Sequence, residues 1–259
     1  MTRIDACAQS SGLREVNAGL KLLLFSAVLV AAVAAKHMWV AAVIGCTVCL
    51  ITVWIGKIPV RVFFSLMTVP AAFVLLSSLA LLFDVSAEAA GVLSLPLFGR
   101  YLVVTQLSQA AAKHVMVKAL AATACLYALS LSTPFSELIG VLRKIRVPEL
   151  VIELMFLIYR YVFVLLRTLS ELQTAAAARL GFHGAKGTFR SAAGMMGGLL
   201  TLSLRRASAA FDAMEARCYD GTLRFFSRES PLTLRHGIYA GTYLLAVVAM
   251  LVAEMNSSS

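Results

Sequence analysis

The chain predicts an all-α membrane protein with about five transmembrane helices and a cytoplasmic module of long, crossing helices. Three observations predict it. Of the 259 residues, 60% are hydrophobic and 14% charged, with a mean hydropathy of +0.87; a soluble domain carries roughly 25% charged residues. Apolar runs recur at 20–35, 38–55, 62–83, 110–131 and 236–253, near the length of about 20 residues that crosses a bilayer. The positive charge is uneven: residues 143–235 hold 14 Lys and Arg against 7 Asp and Glu, in a chain of net charge +10. Such a basic block marks the cytoplasmic side of a membrane protein.

Residues 1–19 carry Arg3, Asp5, Arg14 and Glu15 and lack an apolar core with a small-residue cleavage site, so they read as a cytoplasmic lead rather than a removable leader. The run 20–35 is short for a span, with Lys21 and Lys36 placed to snorkel from its ends. Trp39 and Trp54 stand near the two ends of 38–55 as interfacial anchors. Pro70 lies inside 62–83 and predicts a kink, which neighbouring helices tolerate in a membrane. Asp84, Glu88, Gly91, Pro96 and Gly99 then mark an exterior loop, free of Lys and Arg up to Arg100. In the fourth run, Lys118 either lines the bundle interior or snorkels.

Thr133-Pro134 is a helix-start signal, Thr as N-cap and Pro at the first helical position. Phe135, Leu138, Ile139, Leu142 and Ile145 follow at helical spacing, ending in Arg143, Lys144 and Arg146: a short amphipathic helix on the membrane face. Val147-Pro148 ends it and opens the next. The apolar stretches 150–166 and 191–204 do not read as spans. If both crossed, Arg167, Arg179, Lys186 and Arg190 would face outside against Glu171 alone, against the positive-inside rule. Gly194-x-x-x-Gly198 permits a close helix crossing. The organisation is therefore 1–132 as a membrane domain of four spans, 133–235 as the cytoplasmic or interfacial module, and 236–259 as a last span and tail. The N-terminus is inside and the C-terminus outside.

Catalytic and cofactor motifs are missing from the sequence. Gly181-Phe-His-Gly-Ala-Lys186-Gly187-Thr188 differs from a phosphate loop, which needs Gly directly before Lys. The four histidines lack metal-ligand spacing. Cys46-x-x-Cys49 lies in an apolar run and reads as two small buried hydrophobes. Glu153 and Arg160 are two turns apart and are expected to meet neighbours rather than each other. Few ionisable groups lie within the spans, which argues against a stand-alone pump or channel. No cofactor, metal site or nucleic-acid partner is expected.

Two helix ends stand out. Residues 205–221 are rich in helix formers; Arg217 falls in the last turn, and Gly221 can adopt the left-handed stop. Ala178-Arg179-Leu180-Gly181 repeats the pattern upstream. A cation at a helix end meets the negative pole of the macrodipole, and an exposed guanidinium also offers a planar fork to a partner's carboxylate. The residues leave both readings open.

The sequence resembles the transmembrane coupling (T) component of energy-coupling-factor (ECF) transporters, of the cobalt-type CbiQ family. The likeness lies in Ile4-Asp5 through Ser10-Ser11-Gly12-Leu13-Arg14 to Asn17 and Lys21, in Thr133-Pro134-Phe135 with Leu138, Leu142 and Val147-Pro148, and in Tyr159-Arg160-Tyr161. Ala178-Arg179-Leu180 and Ala216-Arg217-Cys218 are similar to its two short Ala-Arg-Gly-like motifs, with Leu180 and Cys218 standing where glycine is common. The resemblance implies that these six residues dock ATPase subunits and that 133–235 is a coupling module. It implies two CbiO-like cytoplasmic ATPases, a CbiM-like substrate-binding membrane subunit, a small CbiN-like accessory subunit and membrane lipid as partners, at a bacterial inner membrane. Hydrolysis and metal binding would belong to the partners. A nickel or vitamin importer of the same architecture is a rival. So, from another class, is a membrane enzyme or lipid-binding scaffold at the cytoplasmic face.

Overall fold

In a computed structural model of the chain, residues 3–82, 84–86, 93–97, 100–221 and 233–257 are described. Glu88, Gly91 and Gly99 of the expected loop, and Arg224 and Arg228 of the basic block 143–235, lie outside the described residues. The chain divides into two units, 2–138 with 229–259, and 139–228.

The first unit begins with α1 (Arg3–Ser10) and a 3-10 turn (Gly12–Glu15) capped by Ser11, whose Oγ accepts from Leu13 N at 3.2 Å. The apolar runs then become α2 (Ala18–Ala34), α3 (Met38–Leu50) and α4 (Val60–Leu82). A π-helical turn, Ile51–Ile55, extends α3. Strands β1 (Asp84–Ser86), β2 (Leu93–Leu97) and β3 (Arg100–Val104) form an antiparallel sheet in the order β1-β3-β2. Then come α5 (Gln106–Ser132) and the start of α6 (Phe135–Lys144). The second unit continues α6 and holds α7 (Glu149–Ala178) and α8 (Gly184–Glu215); α9 (Leu234–Ser257) returns to the first. Among the described residues, four helices are long and apolar enough to cross a membrane: Met38–Ile55, Val60–Leu82, Gln106–Ser132 and Leu234–Asn256. The 17-residue α2 is a shorter apolar helix. α7 and α8, at 30 and 32 residues, are longer still but are not among the four. Glu153, Arg160 and Arg167 interrupt the apolar run of α7.

α5 packs against α2, α3 and α4. Its sequence explains this. Ala121, Ala124 and Ala128 form a small-residue face, and where lipid is as apolar as protein, close backbone approach is what holds helices together. A Cβ on Gly45 of α3 would lie 3.1 Å from that of Ala121. Phe25, Val28 and Ala32 of α2, Ile44 and Val48 of α3, and Val247 of α9 complete this core. Ile58 and Phe63 pack with Ala124 and Leu131 in a second cluster. Thr47 Oγ1 and Tyr243 Oη, 2.8 Å apart, join α3 to α9.

Polar side chains hold the turn between α2 and α3. Lys118 Nζ donates to Val33 O at 3.1 Å, His114 Nε2 bonds Lys36 O, and the buried Glu254 accepts from His37 N–H. Lys118 therefore caps the C-terminal end of α2. The amino-terminal stretch is fixed at the π-helical turn: Gly12 N donates to Gly56 O at 3.0 Å, and Ser11 Oγ to the same oxygen at 3.3 Å. A Cβ on Gly12 would fall 2.7 Å from Ile55 O, so only glycine fits without a shift.

Several expectations are corrected. Lys21 does not snorkel: it is 2% exposed and turned inward, because a helix-end carbonyl and a carboxylate wait for its ammonium there. The Thr133 hydroxyl does not cap α6. Pro134 O takes the first helical bonds, from Glu137 N at 3.0 Å and Leu138 N at 3.2 Å, so the helix starts one residue later, and Thr133 Oγ1 is buried without a partner. Of the two cysteines expected to be buried, Cys46 is exposed and Cys49 half-buried against the cluster of Ile58, Phe63, Ala124 and Leu131. The stretch expected as a loop holds the small sheet. The last helix runs past 253, taking Glu254 into the bundle.

Candidate functional site

Both arginine motifs lie in the unit 139–228, at the C-terminal ends of α7 and α8. Their backbones are equivalent, position by position. Leu180 N bonds Ala177 O at 3.1 Å, and Gly181 N bonds Ala176 O at 2.8 Å. Cys218 N bonds Glu215 O at 2.9 Å, and Tyr219 N bonds Met214 O at 3.1 Å. This is the paired pattern of a Schellman helix stop, in which the residue after the cap is left-handed. That residue is Leu180 in one motif, with φ 57°, and Cys218 in the other, with φ 58°. In both, the arginine is the residue just before it.

The second stop therefore falls three residues earlier than the glycine rule predicts. Gly221 also has a positive φ, 89°, but the helix has already ended at Cys218. An L-residue resists this conformation because its Cβ crowds the following carbonyl, a cost of about 1–2 kcal/mol. The glycine common at these positions in the resembled family thus has a physical reason, and this chain departs from it twice.

All six residues, Ala178, Arg179, Leu180, Ala216, Arg217 and Cys218, are exposed. Neither guanidinium has a hydrogen-bond or ion-pair partner among the described residues. Exposure alone does not set them apart; their place just before the left-handed residue does. α6 ends in the same backbone pattern, with Val147 N on Leu142 O and a left-handed Arg146, but the residue before it is Ile145. No hydrogen bond joins the two motifs to each other among the described residues.

The surrounding bonds fix the ends without using the arginines. Ser191 Oγ donates to Gly181 O at 2.6 Å, and a Cβ on Gly181 would lie 2.7 Å from that Oγ. Arg206 Nη1 donates to Thr168 Oγ1 at 2.9 Å, linking α8 to α7. Tyr219 Oη, two residues past Arg217, donates to Glu153 Oε2 at 3.0 Å. The hydrogen bond to that carboxylate, aided by burial and by the charges of Glu153 and Asp220, pushes the Tyr219 phenol above its usual range. Glu153 is buried, so the charge noticed inside an apolar run does find a neighbour other than Arg160. Its partner was not legible, because 66 residues separate the two. Arg167 and Glu171, 3.3 Å apart, are 86% and 65% exposed and stabilise little. The glycine-rich stretch at 181–188 makes the turn into α8, with Thr188 Oγ1 donating to Gly184 O at 2.9 Å. Among the described residues no group of three His, Cys, Asp or Glu could hold a metal ion.

Two matched, solvent-facing arginines at helix ends can grip a carboxylate-bearing partner; they supply no acid, base or nucleophile. A family model described as CbiQ, cobalt transport protein, matches residues 9–226, a stretch that holds both motifs. The chain belongs to the CbiQ family, the T component of ECF transporters. The family is non-catalytic and spans the membrane several times. The chain is 27% identical over 252 residues to a putative fused cobalt transport protein CbiMQ of Methanocorpusculum labreanum, covering 97% of this chain and 42% of that protein. It is 28% identical over 182 residues to the cobalt transport protein CbiQ of Rhodobacter capsulatus, covering 69% of this chain and 70% of that one. It is 25% identical over 169 residues to the CbiQ of Salmonella typhimurium, covering 65% and 75%.

Proposed function

We propose that this chain couples ATP hydrolysis in separate cytoplasmic ATPase subunits to movement of a separate substrate-binding membrane subunit, in an importer of cobalt ion. Residues 133–235 form the coupling module on the cytoplasmic side, with the N-terminus inside and the C-terminus outside. Arg179 and Arg217 each sit in a groove of one CbiO-like ATPase, so closure of the ATPases on ATP moves α7 and α8. A CbiM-like subunit takes up that motion, with a CbiN-like subunit and lipid completing the assembly. Hydrolysis happens in the partners and the ion is bound there.

The observation that carries this reading is the pair of geometrically equivalent helix stops, each presenting one exposed arginine without an internal partner. A charge-assisted hydrogen bond contributes about 1.5–3 kcal/mol where both groups are otherwise satisfied only by water. With one such contact per ATPase, each arginine sets the register of its subunit, and the surface around the helix end supplies the rest of the affinity. The names of the relatives support cobalt as cargo, and the fused CbiMQ relative supports a CbiM-like partner.

The test is purification in mild detergent from the native host, followed by identification of bound subunits. An ATPase and a substrate-binding membrane protein are expected. Recovery of a nickel- or vitamin-type substrate subunit would change the cargo alone. Recovery of lipid with no ATPase would replace the proposal with a scaffold at the membrane face.

A further inference from the structure

The first unit contains a buried ion pair that the docking motifs do not use. Lys21, in the first turn of α2, is 2% exposed. Its Nζ donates to Ser132 O and to Glu137 Oε2, each at 3.1 Å. Ser132 is the last residue of α5 and Glu137 lies in the first turn of α6. Only Thr133 and Pro134 separate the two helices. One ammonium therefore bonds the chain on both sides of the elbow through which it leaves the last of the first four apolar helices.

At the elbow itself, Thr133 N still donates to Leu129 O at 3.0 Å, closing the last turn of α5. Proline fixes its own φ but not its ψ. The Thr133 hydroxyl, the natural cap, is buried without a partner. Nor does α2 gain from a lysine in its first turn, where a cation opposes the macrodipole. A buried ion pair is also a weak source of stability, since apolar residues of similar volume often do as well. What the pair does supply is geometry: the end of α5, the start of α6 and the start of α2 meet at one atom.

We propose that Lys21 and Glu137 are positioning residues for transport, a latch that makes α5, α6 and α2 move as one piece. Displacement of α6 then reaches the helical bundle and is not lost as bending at Thr133-Pro134. This rests on the coupling function proposed above.

The test has two arms. In the first, amide hydrogen exchange is measured on the full chain in detergent, for the parent and for Lys21→Met with Glu137→Leu. The double change removes both charges together and leaves neither buried alone. Exchange in residues 135–144 should quicken at least tenfold while α2, α3 and α5 stay within twofold; unchanged exchange in 135–144 would overturn the latch. If that variant does not fold, Lys21→Met with Glu137→Gln, which removes the bridging ammonium and leaves no charge buried alone, carries the same comparison with the same two outcomes. In the second arm the variant is assembled with the subunits recovered from the parent. ATPase recruitment should match the parent while uptake per ATP hydrolysed falls about tenfold. Uptake per ATP equal to the parent's would overturn the positioning role. A parent chain that binds no ATPase would instead overturn the coupling function, and the exchange arm would still decide the latch.

Discussion

Leu180 and Cys218 are non-glycine residues held at φ 57° and 58°, and this makes a quantitative prediction about the two arginine motifs. Restoring glycine at either position should tighten the helix stop. The left-handed conformation costs an L-residue about 1–2 kcal/mol, and glycine's extra freedom in the opened state returns roughly 0.5–1 kcal/mol of that. Leu180 is 76% exposed and Cys218 is exposed, so little packing is lost. The net gain is about 0.5–1 kcal/mol, which by RT of about 0.6 kcal/mol slows local opening roughly twofold to fivefold. The reporters are the amide hydrogens of Gly181 and Tyr219, which close the two stops on Ala176 O and Met214 O. Hydrogen exchange on Leu180→Gly and Cys218→Gly should show that slowing at Gly181 and Tyr219 respectively. Leu180→Val and Cys218→Val should show the reverse, because a β-branched residue tolerates this conformation worst. ATPase recruitment should survive both glycine changes, since the arginines stay in place. Glycine variants that exchange at the parent's rate, with valine variants equally unaffected, would refute the stop geometry.

Two further predictions follow from other parts of the molecule. A reporter fused after Ser259 should read as external and one inserted near Lys186 as cytoplasmic; an external reading at Lys186 would mean that 150–166 and 191–204 cross the membrane. Gly12→Ala should destabilise the chain by about 1–3 kcal/mol, the usual cost of overpacking, because its Cβ would meet the backbone oxygen of Ile55 at 2.7 Å. A thermal transition in detergent equal to the parent's would contradict that.

The apolar helices were legible because their signal is local. A run such as 62–83 is apolar throughout, and the helix Val60–Leu82 follows within two residues. The charges within 150–166 also agree with the absence of α7 from the candidate spans. Tertiary partners were not legible. Lys21 and Glu137 are 116 residues apart, and a lysine at the edge of an apolar run has the same sequence signature whether it snorkels or pairs inward. The glycine rule misplaced the stop after Arg217 because Cys218 takes the left-handed position against its own preference. The sheet was missed although Leu93-Ser-Leu-Pro-Leu97 alternates with the period of a strand; Pro96 and the nearby glycines weighed toward a loop. Both arginines were found from helix formers and a following stop signal, but the equivalence of the two stops needed their hydrogen bonds.

The central claim is that Arg179 and Arg217 are gripped by a separate motor, and it is tested most directly by replacing both with alanine. Neither side chain has an internal partner among the described residues, so the fold should keep its stability within about 0.5 kcal/mol, as surface changes do. Each lost charge-assisted contact should weaken ATPase binding roughly tenfold to hundredfold, with Arg217→Ala the more severe single change and uptake abolished. Co-purification of the ATPase at parental stoichiometry, with normal uptake, would contradict the account.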